Sequence, residues 1–209
     1  VTSIGNYAFS RCSGLTSVTI PGSVTSIGNS AFYNCRGLTS ISVESGNTVY
    51  DSRENCNAII ETATNTLIAG CMNTVIPEGV TSIGEAAFEG CTGLTSVTIP
   101  SSVTFIGDFA FDDCYGLTSI ECLAMVPPTM GTYVFYNVPT DIPVYVPCGK
   151  VADYQAANGW SSFTNIQELD GCIPAGPTNI AVYADGNDIV VEGAAGNTVT
   201  LYDNGGNTL

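Results

Sequence analysis

Four blocks of this chain are near copies of one another, and that self-similarity limits the fold more than any other feature. Residues 1–23 read VTSIGNYAFSRCSGLTSVTIPGS, and residues 24–47 read VTSIGNSAFYNCRGLTSISVESGN. The block returns at 80–102 as VTSIGEAAFEGCTGLTSVTIPSS and at 103–121 as VTFIGDFAFDDCYGLTSIE. The step is 23 residues from Val1 to Val24 and again from Val80 to Val103, while residues 48–79 form a divergent third unit. A unit this small cannot cover its own apolar side, so neighbours must stack and share one core.

Each unit divides into two halves. Leu15-Thr16-Ser17-Val18-Thr19-Ile20 alternates apolar with hydroxyl residues, the period-2 mark of a strand. Pro21 then ends it, because proline has no N–H for a ladder. The other half, Ile4 to Cys12, is too short and too glycine-flanked for a long helix. It suits an irregular return or a single helical turn that turns Ala8, Phe9 and Cys12 inward. Stacking then predicts three internal rows: Leu15, Leu38, Leu94 and Leu117; Phe9, Phe32, Phe88 and Phe111; and Cys12, Cys35, Cys91 and Cys114. The outward strand positions are Ser17, Thr19, Ser40, Ser42, Ser96, Thr98, Ser119 and Glu121. They form a weakly charged field of hydroxyls, the candidate binding face.

The pattern IG-x-x-AF-x-x-C-x-x-L-x-S-I-x-IP, over about residues 1–131, resembles the leucine-rich repeat of BspA-like surface proteins of Bacteroidetes. The resemblance implies a right-handed solenoid with a parallel sheet on its concave face and short irregular or helical returns on its convex face. It also implies a secreted or surface-exposed protein, several members of the class being adhesins.

The divergent unit places two apolar runs, Cys56-Asn57-Ala58-Ile59-Ile60 and Thr66-Leu67-Ile68-Ala69-Gly70-Cys71, around a polar centre. This reads as a β-hairpin projecting from the solenoid, either a recognition element or, preferably, an insertion that a tolerant solenoid accommodates. A turn centred between Ala63 and Thr64 sets Ile60 opposite Leu67, Ile59 opposite Ile68 and Cys56 opposite Cys71. After Glu121 the repeat decays. Residues 122–170 are expected to cap the stack, with one more strand at 142–147, a short helix within 149–158, and Trp160 and Phe163 covering the last coil. Residues 171–176 read as a linker. Residues 177–209 read as a partial antiparallel β module with strands at 180–183, 189–192 and 199–202. The string VEGAAGNTVTLYDNGG resembles the start of the C-terminal sorting domain of type IX secretion, the alternative being a small adhesive β module. The chain opens in mid-pattern, so the natural protein is expected to begin upstream. Val1, Ile4 and Phe9 should then be more exposed than Val24, Ile27 and Phe32.

Composition narrows function by exclusion. The chain has four basic and 19 acidic residues, a net charge of −15 and no His. Four cations cannot neutralise a phosphate backbone, so nucleic acid is a poor partner. The lack of His removes His-based triads and His metal sites. No apolar run approaches the ~20 residues that span a bilayer, which argues against membrane insertion.

Nine Cys is an odd number for a fully bridged framework. Cys12–Cys35 and Cys91–Cys114 lie within bridging reach on adjacent coils, but a row of small buried thiols is the preferred reading. Cys56 and Cys71 are the best disulfide candidate. With no C-x-x-C and no His, neither zinc nor any other cofactor is expected. Asp108, Asp112 and Asp113 occupy variable positions of a return, and Asp185, Asp188 and Glu192 flank a turn. Solvated surface charge is preferred over a calcium or glycosidase site for both groups.

The function expected is therefore non-enzymatic: a protein-binding scaffold or adhesin acting through the strand face on an extracellular or host-surface protein. The alternative is a glycan-binding accessory module of the cell surface, with Tyr7, Tyr33, Tyr115 or Trp160 as stacking platforms. A solenoid glycan-degrading enzyme is the weakest of the three.

Overall fold

The computed structural model describes residues 1–172 together with the strands Ala181–Asp185 and Asp188–Glu192. The chain forms two compact units, Val1–Leu169 and Asp170–Leu209. The first is a solenoid of parallel strands with about seven turns.

Two parallel ladders run along it. The longer strands are Ser17–Ile20 and Ser40–Val43, then Ser96–Ile99, Ser119–Cys122, Val144–Val146 and Ile166–Glu168. They pair in step with the repeat: Ser17 with Ser40, Thr19 with Ser42, Ser96 with Ser119 and Thr98 with Glu121. The shorter strands, two residues each, pair Ile4 with Ile27, Ile83 with Ile106 and Ile106 with Met130. From the second coil on, the glycine after each such residue lies where the previous coil passes close behind it, whereas Gly5 in the first coil has open space there. A Cβ on Gly107 would lie 2.7 Å from the Glu85 nitrogen.

Each return is a chain of tight turns, neither wholly irregular nor helical. Ala8 N–H donates to Gly5 O, Ser10 to Tyr7 O and Cys12 to Phe9 O. Left-handed residues alternate through it, as at Tyr7 (φ 56°) and Arg11 (φ 60°), or Phe109 (φ 56°) and Asp113 (φ 58°). Odd-numbered amides then bond the next coil: Tyr7, Phe9 and Arg11 donate to the carbonyls of Asn29, Ala31 and Tyr33. This inter-coil ladder satisfies backbone groups that packing would otherwise bury unpaired.

The internal rows form as the repeat predicts from the second coil on, Cys35, Cys91 and Cys114 included, whereas Ala8 and Cys12 of the first coil are exposed because no coil covers them. Leu38, Leu94 and Leu117 are buried, and so are Phe32, Phe88 and Phe111. The phenylalanine rings stack in two runs, Phe9 on Phe32 at 5.3 Å, and Phe88, Phe111 and Phe135 at 4.9 and 5.1 Å. At the first coil Val1 is 87% exposed against 1% for Val24, and Phe9 is half-buried where Phe32 is buried. Ile4 and Ile27 are both half-buried and do not follow that trend.

The divergent unit departs from expectation in three ways. Its hairpin, Ala58–Glu61 with Thr66–Gly70, does not project: Ala58, Ile59, Ile60 and Leu67 are all at 0% exposure. The hairpin is a wall through the core. Ile59 and Ala69 pack with the first two coils, whereas Ala58, Ile60 and Leu67 pack with the later ones. Apolar residues on both faces leave neither face fit for water. Second, a bulge between Ile59 and Ile60 shifts the register, so Ile59 faces Ala69, not Ile68, while Ile60 still faces Leu67. Third, Cys56 and Cys71 are both free thiols. The bulge puts Ala58 opposite Gly70 and so carries Cys56 out of register with Cys71.

The segment 122–170 carries the ladder onward. Val144–Val146 pairs with Ser119–Cys122, and Ile166–Glu168 pairs with Val144–Val146. The helix is Val151–Ala156, shorter than its expected window. Trp160 and Tyr154 lie at 0% exposure, bonded through Nε1–H to Pro128 O at 3.0 Å and through O–H to Ala124 O at 2.7 Å. Phe163 is buried beside them. In the second unit, Ala181–Asp185 pairs antiparallel with Asp188–Glu192. The expected strand at 199–202, residues 173–176 of the expected linker and most of the sorting-like string lie outside the described residues.

Candidate functional site

The strand-face residues come together, but as two patches. In the first, Ser17, Thr19, Ser40 and Ser42 are exposed, and the Thr19 and Ser42 hydroxyls bond at 2.9 Å. In the second, Ser96 and Thr98 are exposed, Ser119 and Glu121 are half-buried, and Thr98 Oγ1–H donates to Glu121 Oε2 at 2.9 Å. Tyr145 and Gln167 extend this row, paired beyond Glu121. The divergent unit separates the patches, because Ser40–Val43 and Ser96–Ile99 belong to different sheets.

Val75 stands between them in sequence and is 72% exposed. Sequence reasoning passed over it, although the signal was present. The Ile-Pro pair that ends the first, third and fourth units aligns Val75-Ile76-Pro77 with Thr19-Ile20-Pro21, giving Val75 the outward position of Thr19.

The thiols carry no chemistry of the activated kind. Cys35 Sγ–H donates to Phe9 O and Cys114 Sγ–H to Phe88 O, both at 3.0 Å, so each points at the preceding coil's backbone. Cys12, Cys35, Cys91 and Cys114 are all free. Burial pushes the Cys91 thiol up to about 12 and raises Cys114 as well, the reverse of a reactive cysteine. Cys148 and Cys172 each take part in a disulfide bond, which the spacing of the repeats did not suggest.

The returns hold a second constellation. The divergent unit has no A-F-x-x-C return, so the second and fourth coils meet there directly, Asn34 N–H bonding Glu89 O at 3.1 Å. Two cavities of about 290 Å³ open at this junction and share Ser30, Glu85, Ala86 and Glu89. Glu89 is half-buried; desolvation, with the Asp112, Asp113 and Glu85 carboxylates nearby, pushes its carboxyl up to about 7. Asp112 corrects the expectation of a freely solvated return. It is half-buried, its carboxyl is raised first by desolvation and then by Asp113, and its Oδ1 is buried without a hydrogen-bond partner. Asp108 is exposed and accepts from Thr132 N–H, and Asp113 accepts from Asn137 Nδ2–H at 2.8 Å.

Of the proposed sugar platforms, Tyr7 and Tyr115 are exposed, and Tyr33 is half-buried under the Arg11 guanidinium at 5.7 Å. Trp160 is removed from that set, since a ring at 0% exposure in the core offers no face to a sugar. Among the described residues, no group of three or more His, Cys, Asp or Glu is arranged to hold a metal, and no helix is long and apolar enough to cross a membrane.

Comparison with known proteins agrees with this geometry. A family model described as the BspA type leucine rich repeat region matches residues 1–69 and 68–142, in six copies. A leucine-rich repeat protein from Eubacterium ventriosum is similar at 25% identity and a TM-score of 0.57, over 80% of this chain and 46% of that one. A leucine rich cell surface protein from Faecalibacterium prausnitzii shows 24% identity and a TM-score of 0.48, over 80% of this chain and 51% of that one. Pneumococcal vaccine antigen PcpA shows 15% identity and a TM-score of 0.47, over 81% and 60%. The chain thus spans about half the length of the first two of these structural relatives. No curated protein matches it.

Proposed function

The chain belongs to the BspA-type leucine-rich repeat family, and from that membership we propose that it is a non-enzymatic scaffold of the cell surface or secreted space. It binds an extracellular or host-surface protein through the longer-strand face. The observation that carries this reading is the outward row of hydroxyls, in register from coil to coil, with Val75 exposed where the row is interrupted. Such a face offers many hydrogen bonds and few charges around one apolar point, which suits a protein surface better than a charged polymer. Surface location draws on membership of the family. The sorting-like string near the C-terminus is in keeping with export.

The test is titration of the protein against a panel of purified extracellular-matrix and host-surface proteins. A saturable partner whose binding is lost with Val75→Arg plus Thr98→Arg supports the reading. No saturable partner, or unchanged binding by the variant, overturns it. A positive glycan array with no protein partner would instead favour the accessory-module alternative.

A further inference from the structure

The inter-coil ladder of the returns breaks once. Tyr7, Phe9 and Arg11 send their N–H groups to the second coil, and Ala86, Phe88 and Gly90 send theirs to Asp108, Ala110 and Asp112. The equivalent donors of the second coil are Ser30, Phe32 and Asn34, and of these Asn34 alone finds a carbonyl, Glu89 O. Ala87 O, in line with Phe32, accepts from Gly70 N–H at 2.8 Å instead. The amides of Ser30 and Phe32 therefore have no acceptor among the described residues. Both residues line the cavity of about 290 Å³ that reaches inward to Leu38 and Tyr50.

A third donor belongs to the same wall. Tyr50 is 5% exposed, and its Oη accepts from Ile27 N–H at 3.0 Å, which leaves its own O–H without an acceptor among the described residues. Buried donors in native proteins seldom stay unpaired. The rest of the lining is largely apolar, with Leu38 and Ile68 beside the two rings at which the phenylalanine stacks end, Phe32 and Phe88. The space is about twice the roughly 150 Å³ in which an apolar cavity takes up benzene.

We propose that this cavity binds a small neutral aromatic carbonyl compound, its oxygen among the Ser30, Phe32 and Tyr50 donors and its ring between Phe32 and Phe88. A carbonyl oxygen has two lone pairs and no proton, so it answers N–H and O–H groups without adding a donor of its own. A flat ring continues a row that is aromatic on both sides. A hydrocarbon of the same shape leaves the donors unpaired, which costs affinity. A carboxylate could accept from them, but Glu61, Glu85 and Glu89 also line the cavity and oppose an anion. This site lies on the returns and stands whether or not the strand face binds a protein.

The experiment is an NMR titration of the isotope-labelled whole chain with acetophenone, with ethylbenzene as the same shape without the oxygen, and with benzoate. Acetophenone should bind saturably with a midpoint at or below about 5 mM, moving the Ser30 and Phe32 amide resonances. Ethylbenzene and benzoate should each bind at least about tenfold more weakly. Ile68→Phe, which fills the cavity from its wall, should abolish binding with a cooperative thermal transition retained. Tyr50→Phe should weaken acetophenone about fivefold, while Tyr115→Phe on the exposed surface should not. No saturation by acetophenone, equal binding of ethylbenzene, unmoved Ser30 and Phe32 amides, or full binding by Ile68→Phe each overturns the proposal.

Discussion

The backbone N–H of Asn34 donates to the carbonyl of Glu89 at 3.1 Å, joining two returns with the whole divergent unit between them in sequence. Elsewhere the same position bonds the very next coil, as Arg11 does to Tyr33 and Asp113 to Tyr136. The skipped partner marks where the third unit stops behaving as a repeat. Its hairpin fills the interior but leaves the return side short by one layer.

Gly70 is the closest fit in that filling. A Cβ built there would lie 2.1 Å from Phe88 Cε1. Gly70→Ala should therefore lower stability by about 1–3 kcal/mol through overpacking, read as a fall in urea midpoint. Gly46→Ala, with nothing within 4 Å of the new Cβ, is the control. Phe88→Leu in the Gly70→Ala background should recover part of the loss.

Phe111 is held between the rings of Phe88 and Phe135 at 0% exposure. Phe111→Ala should cost about 3–5 kcal/mol, a buried aromatic lost with little room for collapse. Phe9→Ala removes a half-buried ring with a single stacked neighbour, Phe32, and should cost distinctly less. Equal shifts for the two in denaturant titration would contradict the stacked-row account.

Glu89 makes the fold pH-sensitive. Burial, helped by Asp112, Asp113 and Glu85, raises its carboxyl from an ordinary 4.5 to about 7. The protonated form is thus favoured in the folded state. Its contribution is complete below about pH 4.5 and is lost as pH rises through about 7. Melting temperature should fall over that window, and Glu89→Gln should flatten the fall.

Thiol accessibility separates the coils. Cys12 is exposed, whereas Cys91, Cys114 and Cys122 are buried, with desolvation raising all three. Iodoacetamide at pH 8 should label Cys12 in the native protein and reach these three only in urea. Rapid native labelling of Cys114, whose Sγ–H bonds Phe88 O, would show that its coil opens readily.

What the chain itself determined is whatever recurs in it. The 23-residue step dictated the parallel ladders, the Leu and Phe rows and the outward hydroxyls of Thr19 and Thr98, because identical units stack with identical residues in line. It also put Cys35 and Cys114 on one inner line, whereas their free state is a finding of the structure. Tertiary structure alone decided matters where the repeat fails. A hairpin register rests on one bulge, and local alternation does not announce a bulge; Cys56 and Cys71 part for that reason. Whether the two apolar strands project or divide the core depends on which neighbours lie on either side, and here both sides are coils that need covering. The cavity beside Phe32 and Phe88 arises from an absent return, so it exists only after the second and fourth coils have met in space.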